Sequence, residues 1–309
     1  MPSTGYEKVR RILLEKRSAT PASDDIDVLR ARLDDVALEP ADDVTIEATG
    51  LDGVPAERVR SACSRDGQAI LYAHGGGFCL GSPVTHRKLA GEISRAAESA
   101  CYVVDYRRAP EHPLPAAVED MVEAYKCLLL TYDPASVLIA GDSAGATLGI
   151  LALVRLRDEG VELPTGAMAI TPWVDYACED PSYEERAEGD PITDVGELRG
   201  YQRWFLDGYR ADDPAICPLT ADLSGLPPLI IHGGGGDVMC NDAARLAERA
   251  RIAEVDVTHR QVPEMMHVWH VFAGRVPEST EAVADLGAFA SRRFVAEEQR
   301  PVNPVAEII

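Results

Sequence analysis

Short apolar runs alternate with amphipathic stretches along most of the chain. That alternation predicts βα units around a mostly parallel sheet. Apolar runs bounded by turn residues predict strands at 44–49, 56–63, 69–73, 100–105, 136–140, 167–171, 228–232 and 256–261. The first two lie close enough for a hairpin, so the sheet is expected to be mixed at that edge. Apolar residues at helical spacing predict helices at 85–98, 116–131, 144–159, 241–252 and 278–297. In the third of these, the small residues Ala144, Ala146 and Gly149 come early and allow close packing on the sheet.

Two segments break the alternation. Residues 2–39 read as charged helix before the first strand, and 176–213 interrupt the pattern after Trp173 with a mixture of acids and aromatics. Thr193-Asp194 supplies a helix start within the second segment. Both are expected to form cap elements, over 1–40 and 176–213, on the carboxyl edge of a single α/β domain. A solvated arm and a surface insertion are the plainer alternative. The tail, 299–309, reads as loosely ordered.

Composition narrows the setting. A hydrophobic fraction of 46% in 309 residues supports a large core. No apolar run is long enough for a bilayer, and the mixed charges of the first residues fit neither signal peptide nor anchor. A soluble, cytoplasmic protein is expected. The net charge of -21 disfavours nucleic acid and anionic membranes as partners. Only Lys8, Lys16, Lys88 and Lys126 are lysines, a balance that fits solubility first and salt adaptation second. The seven cysteines are scattered, with no Cys-x-x-Cys pair, which fits packed thiols and not a disulfide framework or a zinc site. Cys79 and Cys240 lie near the candidate chemistry in sequence, and small apolar filler is the simpler role for both.

The chemistry begins at Gly141-Asp142-Ser143-Ala144-Gly145, where a strand runs directly into a helix. Ser143 there would sit on a tight turn with its hydroxyl projecting outward, as a nucleophile requires. His74-Gly75-Gly76-Gly77-Phe78 ends an earlier strand. A triple glycine weakens a strand but bares backbone N–H groups to a substrate oxyanion. Gly75 and Gly76, taken ahead of Gly77, are the expected donors, with the N–H of Ala144 as a third. His74 is expected to brace this loop and not to carry protons.

An acid and a base follow in order. Asp237 ends the run Gly233-Gly234-Gly235-Gly236 after a strand, and Asp242 is its rival, read as capping the next helix. His267 is favoured over His270 as the base. The resulting order of Ser143, Asp237 and His267 is that of the hydrolase triad. The histidine pair lacks a third ligand nearby, so no metal is expected.

Together these residues resemble the hormone-sensitive-lipase-like family of α/β hydrolases. The resemblance runs from about residue 65 onward and rests on the 74–78 and 141–145 motifs and the block Tyr106-Arg107-Arg108-Ala109-Pro110-Glu111. Asp222-Leu223-Ser224-Gly225-Leu226-Pro227-Pro228 and Met265-Met266-His267-Val268-Trp269-His270 add to it. The chain departs from the family pattern at Gly145-Ala146, where Gly-Gly is usual, and at Asp237-Val238-Met239, where Asp-Pro-Leu is common. The resemblance implies an eight-stranded, mostly parallel sheet, a cap, and cofactor-free hydrolysis of short to medium acyl esters. It also implies that Arg107 and Glu111 brace the active-site loops, and it makes a homodimer plausible. Phe78, Trp204, Phe205 and Trp269 are candidates for the substrate pocket, with core packing as their other reading. A lactonase or amidase using the same triad is the rival activity, and a small-molecule-binding protein on a retired hydrolase scaffold is the rival outside enzymes.

Overall fold

Asp52 and Gly53 carry positive φ, 51° and 85°, and this turn folds β1 (Thr45–Leu51) back onto β2 (Val54–Arg60) as an antiparallel hairpin. The computed structural model describes residues 1–294. The predicted loose tail at 299–309 and the end of the predicted 278–297 helix lie outside them. Helices α1 (Thr4–Ala19) and α2 (Ile26–Asp34) precede the hairpin. The remaining strands are β3 (Arg65–Ala73), β4 (Ser99–Val104), β5 (Val137–Asp142), β6 (Gly166–Ile170), β7 (Leu229–Gly234) and β8 (Val257–Val262). They are joined by α3 (Pro83–Ala97), α4 (Ala116–Leu128), α5 (Ala144–Asp158), α6 (Ser182–Glu185), α7 (Val195–Phe205) and α8 (Cys240–Ile252), and α9 (Pro277–Arg293) follows the last strand.

The sheet has eight strands in the order β1-β2-β4-β3-β5-β6-β7-β8. β4, β3, β5, β6, β7 and β8 run parallel, and the antiparallel pairs are confined to the β1–β2 and β2–β4 side. The alternation predicted the mostly parallel sheet, and the eight strands are those that the resemblance to α/β hydrolases implied. The strand positions agree to within a few residues. The central strands read as unbroken apolar runs because helices cover both faces. Along β3, Leu71 and Ala73 join the layer containing α4, α5 and α8, while Ile70 and Tyr72 join the layer containing α3 and α9. Each fully buried Leu or Ile in these layers contributes about 1.5–3 kcal/mol.

Parallel strands end on the same edge, and this decides where chemistry can assemble. β3 runs into His74, β5 into Ser143, β7 into Asp237 and β8 into His267. Ser82 starts α3 with a reciprocal capping box to Thr85. In the 176–213 segment, Asp194 caps α7 by accepting from Glu197 N at 3.1 Å, close to the predicted helix start.

Candidate active site

Ser143 occupies the turn between β5 and α5 with φ 54° and ψ -124°, a conformation costing an L-residue about 1–3 kcal/mol. Surrounding contacts hold it there: its N–H donates to Ile170 O at 2.8 Å, and its carbonyl accepts from Trp173 N at 3.3 Å. The neighbouring glycine is obligatory. A Cβ on Gly145 would lie 2.1 Å from the Ala73 carbonyl oxygen. The serine was expected to project outward, but it is only 7% exposed. In α7, the Tyr201 ring packs so closely on Gly77 of the 74–78 loop that a Cβ there would come within 2.5 Å of it.

The 74–78 loop is wired differently from the expectation. Gly75 N–H donates to Asp142 Oδ1 at 3.1 Å and faces His86 Nε2 at 3.2 Å. That donor is already committed, so Gly75 is corrected as an oxyanion donor. Among the described residues, the N–H groups of Gly76, Gly77 and Ala144 have no protein acceptor. Gly76 has φ +121°, and a Cβ on it would meet the Leu80 carbonyl at 2.4 Å. His74 stacks on Tyr106 at 4.1 Å and its Nδ1 meets Gly75 O at 2.9 Å. Burial, with the charge of His86, drives its pKa down to about 3, so the ring stays neutral and braces the loop.

Asp142, just before the serine, is buried. Burial would raise its pKa, but the His86 charge and hydrogen bond, a 2.6 Å bond from Tyr72 OH and the nearby His267 outweigh that and lower it. A full negative charge therefore sits under the elbow.

His267 Nδ1 meets Asp237 Oδ2 at 2.6 Å, and Asp237 Oδ1 accepts from Met239 N at 2.9 Å. The carboxylate only accepts, so Nδ1 carries the proton and donates it, leaving Nε2 as the basic atom. Burial would depress the His267 pKa; the charge and hydrogen bond of Asp237, with Asp190 and Asp142, overcome it and raise the value.

The two rivals are engaged elsewhere. Asp242 Oδ2 accepts from Val174 N and Asp175 N, both at 2.8 Å, and from Tyr183 OH at 3.0 Å. It therefore holds the loop after β6 and does not cap its own helix. His270 is fully buried against His232, ring nitrogens 2.9 Å apart.

A family model described as alpha/beta hydrolase fold matches residues 70–271. The chain belongs to the α/β-hydrolase family. An acetyl-hydrolase of Streptomyces hygroscopicus is 44% identical over 235 residues, 76% of this chain and 78% of that protein. The crystal structure of EstE5 soaked with ethyl alcohol is 40% identical, with TM-score 0.92, covering 95% of this chain and 100% of that one. An esterase from the bacterial hormone-sensitive lipase family is 37% identical with TM-score 0.89, covering 96% and 100%. This hydrolase thus falls in the hormone-sensitive-lipase-like branch and is an enzyme of the serine-hydrolase type.

The hydrolase does not gather the four pocket candidates. Phe78 and Phe205 are buried against each other at 4.6 Å, packed with Trp173 and Tyr176. Trp204 is partly buried and lies 6.1 Å from Tyr201. Trp269 is corrected to core: it is fully buried with Tyr6, Met265 and Val276 and packs on His270. Cys79 is buried, and burial pushes its thiol pKa up, so it reads as filler. Glu111 pairs with Arg30 of α2 through two contacts of 2.7 Å, and Arg107 pairs with Asp120 of α4 at 2.8 Å.

Sequence reasoning missed Tyr6, His86 and Asp190. Tyr6 OH donates to Glu264 O and accepts from Met266 N, both at 2.7 Å, and so clasps the loop carrying His267. No local pattern marks Tyr6, because its partners lie 258 and 260 positions away.

Proposed function

We propose that this hydrolase cleaves carboxylic esters of short to medium acyl chains, with Ser143 as nucleophile, His267 as base and Asp237 as the acid that orients it. The observation that carries this reading is the 2.6 Å contact between His267 Nδ1 and Asp237 Oδ2, made beyond the same sheet edge as the strained elbow of Ser143. The relatives named acetyl-hydrolase and esterase add support for the substrate class.

In this scheme Ser143 Oγ attacks the ester carbonyl as its proton passes to His267 Nε2. The oxyanion takes hydrogen bonds from the free N–H groups of Gly76, Gly77 and Ala144, each contributing about 3–4 kcal/mol to the transition state. Collapse breaks the C–O bond, and the leaving alkoxide takes the proton from His267. Water then attacks the acyl-enzyme, gives its proton to His267, and collapse returns that proton to Ser143 as the carboxylic acid leaves.

Residues 1–40 and 176–213 form a cap in this reading. Contacts of α2 with the oxyanion loop support it, Arg30 donating to Cys79 O and Ala109 O at 3.0 Å, as does the Tyr201–Gly77 packing of α7. Free cysteines throughout fit a reducing cytoplasm. Among the described residues no helix is long and apolar enough to cross a membrane. Among the described residues β8 pairs only with β7, and a homodimer would join two copies along the other edge of β8.

The test is hydrolysis of p-nitrophenyl acetate by wild type and Ser143→Ala, with serine-directed organophosphate labelling beside it. Wild type should turn over and take the label, and the variant should do neither while remaining folded. A fully active variant would remove the reading. Lactones and amides in the same panel should be cut more slowly than linear esters.

A further inference from the structure

The residue after the proposed acid is gripped on both of its backbone atoms by the 176–213 segment. Val238 N–H donates to Asp190 Oδ2 at 3.0 Å, and Val238 O accepts from Ser182 Oγ at 2.7 Å. Asp190 is itself held rigidly. Its Oδ1 accepts from Ile192 N at 2.8 Å and Thr193 N at 3.0 Å, and Arg17 of α1 donates to its carbonyl oxygen. Its side chain is fully buried. A buried carboxylate accepting three backbone N–H groups has a fixed place and direction.

That direction is toward the proposed dyad. Asp190 interacts electrostatically with Asp237 and His267, and His267 in turn feels Asp237, Asp190 and Asp142. The base is thus surrounded by carboxylates from three elements: the loop after β7, the 176–213 segment and the end of β5. Other charged or titratable groups around these carboxylates are His270, on the same loop as His267, Tyr6 and Arg17 of α1, and Cys240 of α8.

We propose that Asp190 is a positioning residue for the Asp237–His267 pair: it fixes the acid loop through Val238, and its negative charge adds to that of Asp237 in stabilising the imidazolium. This rests on the triad reading above. Burial, followed by repulsion from Asp237, raises the Asp190 pKa to about 6, while His267 titrates above the ordinary imidazole value. The charge of His267 lowers the Asp190 pKa against that rise, and the Asp190 charge in turn favours the imidazolium. Its loss removes a group that favours the protonated ring, so the ring becomes neutral at lower pH.

The experiment is the pH profile of kcat/KM for p-nitrophenyl acetate in wild type, Asp190→Asn and Ser182→Ala. Asp190→Asn loses the charge and keeps one acceptor oxygen, leaving either the Val238 N–H or the Ile192 and Thr193 N–H groups facing an amide NH2. Its acid limb should move down by roughly half a pH unit, with kcat lowered about 10-fold. Ser182→Ala loosens Val238 without touching a charge, so kcat should fall and the limb should stay. If Asp190→Asn leaves the limb at its wild-type position, or Ser182→Ala moves it equally, the proposal is overturned. Should Asp190→Asn fail to fold, Asp190→Ser, which retains a hydroxyl acceptor, is read by the same criteria. Ser143→Ala separates the two levels. Activity surviving in that variant sinks the triad itself, whereas a dead Ser143→Ala beside an unmoved Asp190→Asn limb sinks only the role of Asp190.

Discussion

Gly75 N–H donates to the Asp142 carboxylate at 3.1 Å, so the residue preceding Ser143 also anchors the first glycine of the 74–78 loop. One carboxylate thereby sets the distance between elbow and loop, and Tyr72 and His86 hold that carboxylate in turn. Replacing it should cost turnover more than substrate binding. Asp142→Ala is expected to lower kcat by about 100-fold with a small change in KM, because the oxyanion donors lose their fixed aim. Asp142→Asn retains an acceptor for Gly75 and should lose less. Steady-state kinetics decide it, and an Asp142→Ala enzyme with wild-type kcat would contradict the arrangement.

The pH dependence of the wild-type enzyme follows from the raised His267 pKa. The base accepts a proton only when neutral, so kcat/KM should rise with pH through a midpoint above about 6.5. Asp237→Asn removes both the charge and the acceptor that raise this value. Its midpoint should fall, and kcat should drop by roughly 10⁴-fold, the scale known for such aspartates in serine proteases. A wild-type midpoint at or below 6 would rule out the electrostatics described for the base.

Strain at the elbow gives a prediction about stability. Ser143→Gly and Ser143→Ala both lose the hydroxyl, but only glycine adopts φ 54° and ψ -124° without penalty. The glycine variant is expected to be more stable than the alanine variant by about 1 kcal/mol, or roughly 2 °C in Tm. Calorimetry on the two inactive proteins makes the comparison. Equal or reversed melting temperatures would mean that the turn stores no strain.

The strands and the elbow were readable because their signals are local. A strand buried on both faces is an apolar run, and β3 through Leu71 and Tyr72 shows it plainly. A strand-to-helix turn tight enough to bring Gly145 against Ala73 admits only small residues around Ser143. The role of Gly75 was misread because a glycine run shows which N–H groups are bare, not which are already bonded. That depends on Asp142, 67 residues away. Trp269 was misread for a related reason: an aromatic beside a catalytic loop looks alike whether it faces a cavity or, as here, Tyr6 and Met265. Asp190 gave no signal, since an acid in an acidic insertion resembles its solvated neighbours until the fold buries it.

Asp242 makes stability depend on pH in the alkaline direction. Burial raises its pKa to about 7, and its Oδ1 has no partner among the described residues. The folded state thus binds a proton that the unfolded chain releases near pH 4. Its contribution is fully present below that value and is lost as pH rises toward 7. Asp242→Asn mimics the neutral form, so its stability relative to wild type should improve between pH 5 and pH 8, by on the order of 1–3 kcal/mol. Urea unfolding at the two pH values tests this. An unchanged difference would show that Asp242 does not titrate in the folded protein.

The loop bearing His267 has positive φ at Glu264, 62°, and at Val268, 46°, so it needs an external brace to hold its shape. Tyr6 of α1 supplies one by bonding Glu264 O and Met266 N from a single buried hydroxyl, both at 2.7 Å. Burial pushes its pKa up to about 12, so it remains a donor across the working range. Tyr6→Phe keeps the ring packed and leaves the buried Met266 N–H unpaired and the Glu264 carbonyl without this donor, at a cost of about 1–3 kcal/mol. The expected result is a lower Tm, faster hydrogen exchange at the Met266 amide and a kcat reduced about 10-fold with KM nearly constant. Exchange at Met266 discriminates between explanations. A general loss of stability would speed exchange across the sheet, whereas release of this one clasp speeds it in the His267 loop alone, and wild-type protection there would show that the loop holds its shape without α1.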